Sequence, residues 1–167
     1  SLNLACAQAC AEAYPYFIHD AVFARRLYDC AAEDYAFGIS AFKPTEDVCA
    51  NAQAALCALS LHKLTRDAAC IDHAAAFACK VLACQQTEPR TDLTPALCGY
   101  FYEDTAHTRP LSFFHNNSEQ HMVECFIRLL DAAPAHPDAP LWQRSLELSA
   151  QYFRTISGCI PPYGIFP

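Results

Sequence analysis

The chain has 167 residues, of which 53% are apolar and 17% are charged, and its formal net charge is −7. This composition is typical of a folded globular protein and argues against intrinsic disorder. The acidic balance, with Arg25-Arg26 as the one tight basic pair, argues against nucleic-acid binding. No apolar run approaches the roughly 20 residues that span a bilayer, so we expect no membrane partner.

The first half of the chain predicts four helices, because it is rich in Ala and poor in helix breakers. Gly38 is expected to end the second helix, and Thr45 is expected to cap the third. A three-residue turn separates the third helix from the fourth, and a link this short predicts an antiparallel hairpin. The predicted helical ranges are 4–14, 20–36, about 46–64 and 68–86.

A long connection, residues 88–117, follows the fourth helix and is rich in Pro, Thr and aromatic residues. Connections of this length in compact domains are usually functional or disordered, and the aromatic residues argue against disorder. Residues 97–103 predict a short extended piece. Asn117 or Ser118 then caps a fifth helix that runs to about residue 133. Asp138 is expected to cap a sixth helix over residues 141–157, with Trp142 in the core.

The chain has eleven cysteines, an odd number without any Cys-x-x-Cys pair, and most lie in Ala-rich helical segments. In such segments a free thiol behaves as a small apolar side chain. We therefore expect buried, reduced thiols and a cytoplasmic location, rather than the disulfide framework typical of short secreted domains. The Cys and His residues do not show the spacing of common zinc motifs, so we expect no metal and no cofactor.

Five segments in the second half lie in a characteristic order. They are GYFYED (99–104), TRPLSFFH (108–115), EQ (119–120), AHPD (135–138) and PYGIFP (162–167). Together they resemble bacterial six-hairpin glycosidases, whose fold is an (α/α)6 toroid of inner and outer helices, and the likeness covers about residues 95–167. The resemblance implies an all-α chain of antiparallel helical hairpins that forms one domain over residues 1–167 and part of such a toroid.

The resemblance further implies a carbohydrate-active enzyme, glycoside hydrolase-like, that acts on an oligosaccharide substrate. Glycoside cleavage uses two carboxyl groups on either side of the scissile bond. The predicted catalytic residues are Glu103, Asp104, His115 and Glu119. The predicted substrate-binding residues are Arg109, as a bidentate clamp for a uronic acid carboxylate, with the aromatic residues Tyr102, Phe114 and Tyr163.

Other interpretations stay open at this stage. Glu103 and Asp104 can be solvated loop charges, Arg109 can simply hold the loop, and Glu119 can be a first-turn acid that suits the helix dipole. Sugar epimerases and polysaccharide lyases built on the same toroid use His and Tyr instead of a carboxyl pair. A non-catalytic helical scaffold or binding module would show the same hairpins.

The number of predicted helices, about six, is half of what a closed six-hairpin toroid needs. We therefore expect the chain to be a fragment of a larger protein, or its second half to come from another chain. An isolated half would expose apolar edges larger than the few hundred Å² typical of monomers. Homo-oligomerisation is the expected consequence where no second half covers these edges.

Overall fold

The computed structural model describes residues 2–41, 47–111 and 119–158, except for the side chain of Glu119. Over these three ranges the chain forms six α-helices and no β-strand, so the predicted all-α class is confirmed. The helices are α1 (Leu2–Ala13), α2 (Ala21–Ala41), α3 (Val48–Thr65), α4 (Ala69–Ala83), α5 (Glu119–Ala132) and α6 (Ala139–Ser157), and a short 3₁₀ helix, Tyr14–Tyr16, follows α1. None of the described helices is both long and apolar enough to cross a membrane.

The α3 helix is the centre of the fold. It packs against α1, α2, α4 and α5, and almost all of its side chains between Asn51 and Leu61 are buried. A helix buried on all sides is typical of the interior of a bundle. Its many Ala residues let the neighbouring helices approach closely. Consecutive helices also pack as pairs, α1 on α2, α3 on α4 and α5 on α6, as the predicted hairpins require, whereas the toroid stays a prediction.

The predicted end of the second helix and the predicted N-cap of the third are wrong. The second helix does not end at Gly38 but continues to Ala41, since Gly38 serves packing rather than termination. A Cβ atom at Gly38 would lie 2.6 Å from Cδ2 of Leu4, so glycine allows α1 and α2 to approach. The third helix begins after Asp47, whose Oδ1 accepts a hydrogen bond from Ala50 N at 2.6 Å. Asp47 is therefore the N-cap, and Thr45 lies outside the described residues.

The fourth helix ends at Ala83, three residues earlier than predicted, because the chain after it pairs with another segment. Gly99 N donates to Gln86 O at 2.7 Å, Gln86 N donates to Tyr100 O at 2.9 Å, and Tyr102 N donates to Cys84 O at 2.8 Å. The extended piece predicted over residues 97–103 therefore exists and lies beside residues 84–86. It is held by isolated bridges rather than by a sheet.

Gln85 fixes this connection to α6. Its side chain is 3% exposed, and its Nε2, which carries two hydrogens, lies within hydrogen-bond distance of three acceptors, Gly99 O at 3.0 Å, Ser145 O at 3.1 Å and Ser149 Oγ at 3.1 Å. A buried amide with three acceptors around it is costly to remove, because the acceptors would lose their partner in a buried site. The amide thus joins the end of α4, the extended piece and α6.

The core prediction for Trp142 is confirmed, since its side chain is fully buried. The ten described cysteines are free, as expected. The expectation that these thiols are buried is wrong for Cys6 and Cys79, which are exposed. Asp138 stands at the predicted N-cap position of α6, but its side chain makes no capping hydrogen bond.

Gly99 provides a test of how closely the connection approaches α6. Its φ is +91°, and a Cβ atom there would lie 2.0 Å from the carbonyl oxygen of Leu148. Gly99→Ala should lower the free energy of unfolding by at least about 2 kcal/mol, because it combines an unfavourable backbone conformation with a clash against backbone. Chemical denaturation with urea measures this change.

Gly158→Ala is the matched control. Gly158 has a φ of −78°, and the nearest atom to an added Cβ, Thr155 O, is at an ordinary 3.4 Å. The control should change stability by no more than about 0.5 kcal/mol. Equal effects of the two substitutions would show that the close approach of Gly99 to α6 is wrong.

Candidate functional site

The connection after α4 places Glu103 beside the first residue of α3. The backbone holds Glu103 on both sides, because its carbonyl accepts from Val48 N at 3.0 Å and its amide donates to Arg109 O at 2.9 Å. A cavity of about 230 Å³ opens at this place. It is lined by Asp47, Val48, Cys49, Glu103 and Leu111.

Arg109 forms an ion pair with Glu103. Its Nε and Nη2 lie 2.8 Å and 2.6 Å from Oε2 of the carboxylate. The hydrogen bonds to Glu103 and the negative charge of the Glu103 carboxylate raise the pKa of Arg109. The structure thus brings two of the predicted site residues together. The side chain of Arg109 is 74% exposed, so solvent reaches the guanidinium on the side away from Glu103.

Asp104 stabilises the turn that follows. Its carboxylate accepts hydrogen bonds from the hydroxyl and from the backbone amide of Thr108. These bonds hold the pKa of Asp104 below its usual value. His107 stands in the same turn in a left-handed conformation, with φ +56°, and its Nε2 donates to Ala83 O at 2.8 Å. Asp104 therefore has an evident structural role, and its catalytic role stays a prediction.

Tyr102 is buried beneath this turn. Its side chain is 4% exposed, its hydroxyl donates to Gln86 Oε1 at 3.1 Å, and its ring stacks on the imidazole of His107 with centroids 4.2 Å apart. A sugar ring that stacks on the same face must first displace His107. The predicted contact between Tyr102 and a substrate therefore requires a movement of the turn that carries His107.

Four predicted site residues fall wholly or partly outside the described ranges. His115, Phe114 and Tyr163 lie in residues 112–118 and 159–167, which are outside them. Glu119 is the first residue of α5, so its place at the beginning of a helix agrees with the sequence prediction. Its side chain is not among those described, and its catalytic role stays a prediction.

A larger groove, of about 450 Å³, lies between α2 and the turn that joins α3 to α4. Tyr35 and His73 meet here through a 2.8 Å hydrogen bond between the Tyr35 hydroxyl and His73 Nδ1. Burial raises the pKa of the Tyr35 phenol above its usual range, and burial also raises the pKa of Cys70 in the same groove. The sequence did not predict that Tyr35 and His73 are in contact, because they lie on different helices.

A third cluster joins α1 to α2 near their middle. The Sγ atoms of Cys6, Cys10 and Cys30 all lie within 4.8 Å of one another. Cys10 Sγ lies 3.5 Å from Cys30 Sγ, which in turn lies 3.5 Å from Asp34 Oδ2. Hydrogen bonding to Asp34 and to Cys30 raises the pKa of Cys6 to about 11, and contact with Cys10 raises the pKa of Cys30 to about 11.

The sequence interpretation missed this cluster, although a signal for it exists. Cys6 and Cys10 are four residues apart, as are Cys30 and Asp34, and this spacing places each pair on one helix face. The three thiols come from two helices and do not form a common zinc motif, so the expectation of no metal stays a prediction.

Comparison of the chain with protein-family models, with curated proteins and with solved structures finds no match.

The Tyr35 hydrogen bond makes a measurable contribution to stability. Tyr35→Phe removes the hydroxyl but keeps the ring, and it leaves His73 Nδ1 without this partner. We expect the free energy of unfolding to fall by about 1 kcal/mol, as measured by urea denaturation at pH 7.

Tyr28→Phe serves as the control, since Tyr28 lines the same groove and its hydroxyl makes no hydrogen bond within the described residues. Its effect should be several-fold smaller. A loss that is as large in Tyr28→Phe as in Tyr35→Phe would contradict the bond.

Proposed function

We propose that the chain is part of a carbohydrate-active enzyme that hydrolyses glycosidic bonds in oligosaccharides, with Glu103 as one of its carboxyl groups. The observation that carries the proposal is the cavity at the beginning of α3, because two carboxylate residues, Asp47 and Glu103, line it together. Glycoside hydrolysis needs such a pair, one group as proton donor and the other as base or nucleophile.

The surroundings of Glu103 favour the second of these roles. The guanidinium of Arg109 lies against Oε2, and a carboxylate held in an ion pair suits the role of base or nucleophile better than that of proton donor. The second carboxyl group of the pair in this proposal is either Asp47 on the same cavity or Glu119 at the beginning of α5. Arg109, being largely exposed, is also placed to bind the carboxylate of a uronic acid in the substrate.

Glu103→Gln tests this proposal most directly, because it keeps the size of the side chain and removes the charge. Release of reducing ends from a panel of neutral and uronate-containing oligosaccharides should fall by about 10²–10⁴-fold, the usual contribution of a general acid or base. Glu88→Gln, on an exposed part of the same connection, is the control and should retain full turnover. Undiminished turnover in Glu103→Gln would rule out the role of this carboxylate.

A second candidate is a polysaccharide lyase or sugar epimerase, and the Tyr35–His73 pair favours it. Both reactions begin with removal of a proton from a carbon beside a carboxylate or carbonyl, and a hydrogen-bonded Tyr–His pair is suited to move that proton. The groove of about 450 Å³ around the pair has room for a sugar ring.

Product analysis distinguishes the candidates. A lyase gives an unsaturated sugar and an epimerase an inverted one, and His73→Gln should abolish either while Glu103→Gln leaves them intact. If the protein turns over none of the sugars, the remaining interpretation is a non-catalytic helical module.

A further inference from the structure

We propose that Cys6, Cys10, Cys30 and Asp34 bind one Zn²⁺ ion that joins α1 to α2. Three thiols and a carboxylate converge from two helices, with the three Sγ atoms within 4.8 Å of one another. Three cysteines with a carboxylate form a mixed sulfur and oxygen ligand set that zinc accepts in tetrahedral geometry. The proposal is independent of the proposed function, because the cluster lies apart from both cavities.

Two of the distances between ligand atoms fit a tetrahedral ion. Sulfur ligands about 2.3 Å from zinc stand about 3.8 Å from one another at the corners of a tetrahedron. Cys10 Sγ and Cys30 Sγ are 3.5 Å apart, and Cys30 Sγ is 3.5 Å from Asp34 Oδ2. These two contacts are within a few tenths of an ångström of tetrahedral distances, and the remaining Sγ–Sγ distances, within 4.8 Å, close to about 3.8 Å by side-chain shifts of up to about 1 Å. A disulfide between Cys10 and Cys30 would instead require the sulfur atoms to approach to about 2.05 Å.

The helices hold these ligands in place. Each helix contributes two residues separated by four positions, so both ligands of a pair lie on the side that faces the other helix. The contact of Leu4 with Gly38 brings the two helices close together. The ligand positions therefore follow from the packing of α1 on α2.

Asn3 completes the arrangement around the carboxylate. Its Nδ2 donates to Oδ1 of Asp34 at 3.4 Å, while Oδ2 is the oxygen that faces Cys30. Carboxylates that bind metals are usually held by a hydrogen bond of this kind, which orients the oxygen that binds. Asn3 is a positioning residue in this proposal and does not touch the ion.

The ligand types favour zinc and a structural role. A carboxylate beside three thiolates suits zinc, whereas copper(I) selects thiolate and thioether ligands alone. Four protein ligands fill the tetrahedron and leave no position for a substrate, which is the pattern of structural zinc sites. Cys6 is exposed and Cys10 and Cys30 are partly so, so the ion can enter from solvent. Binding releases the three thiol protons to solvent and involves no change of oxidation state.

Titration of the reduced, metal-free full chain with Co²⁺ and then Zn²⁺ tests the proposal. Co²⁺ should give the visible bands of a tetrahedral thiolate site at one ion per chain, and Zn²⁺ should displace it. A free zinc concentration about 100-fold above the dissociation constant should raise Tm by about 5 °C or more, because only the folded chain presents the complete site.

Substitutions then assign the ligands. Cys6→Ser, at an exposed position that should not disturb folding, and Asp34→Asn should each weaken zinc binding by more than the roughly 10–100-fold expected for Asn3→Ala. Cys79→Ser, an exposed thiol on α4, is the matched control and should bind zinc as the wild type does.

Three results would overturn the proposal. The first is absence of the cobalt bands in the reduced wild-type chain. The second is equal zinc affinity in Cys6→Ser and the wild type. The third is a Cys10–Cys30 disulfide that forms readily in air in a chain that binds no zinc when reduced, which would make the cluster a thiol pair instead of a metal site.

Discussion

The side-chain amide of Gln85 is the interaction on which the arrangement of the cavity residues depends. Its N–H groups face three buried acceptors, on Gly99, Ser145 and Ser149. These contacts fix the end of α4 and the extended piece against α6. Gly99 makes this possible, because only a residue without Cβ can lie so close to the α6 backbone. Residues 84–111 contain no helix, and their position therefore depends on such polar contacts.

A short series of hydrogen bonds connects the Gln85 site to the proposed active site. Tyr102, three residues beyond Gly99, donates its amide to Cys84, and Glu103 then accepts from Val48 N at the beginning of α3. Arg109 contacts Glu103 twice, since its carbonyl accepts from the Glu103 amide and its guanidinium pairs with the Glu103 carboxylate. The backbone of Glu103 is thus held at the beginning of α3 and by its own loop, and its carboxylate is held by Arg109. Such support is what a site needs if its geometry is to survive thermal motion.

Helix content and the hairpin order followed from the sequence, because Ala-rich amphipathic segments with short links leave few other solutions. The ends of α2 and α4 could not be predicted in this way. Gly38 and Gln85 contact residues that are distant in the chain, and local sequence does not show those contacts. Tyr35 and His73 show the same limit, because no local pattern relates residues on separate helices. Half of the thiol cluster was visible as a Cys-x-x-x-Cys spacing, but the pairing of α1 with α2 was needed to bring Cys30 to it.

Native-state hydrogen exchange on Gln85→Met tests the central claim, since methionine keeps the volume of the side chain and removes its donors. Protection of the Gly99, Tyr102 and Leu111 amides, which bond Gln86 O, Cys84 O and Phe101 O, should fall well below that in the wild type. Amides in the middle of α3 should keep most of theirs, because the opening is local. Unchanged protection of the three amides in the connection would contradict the account.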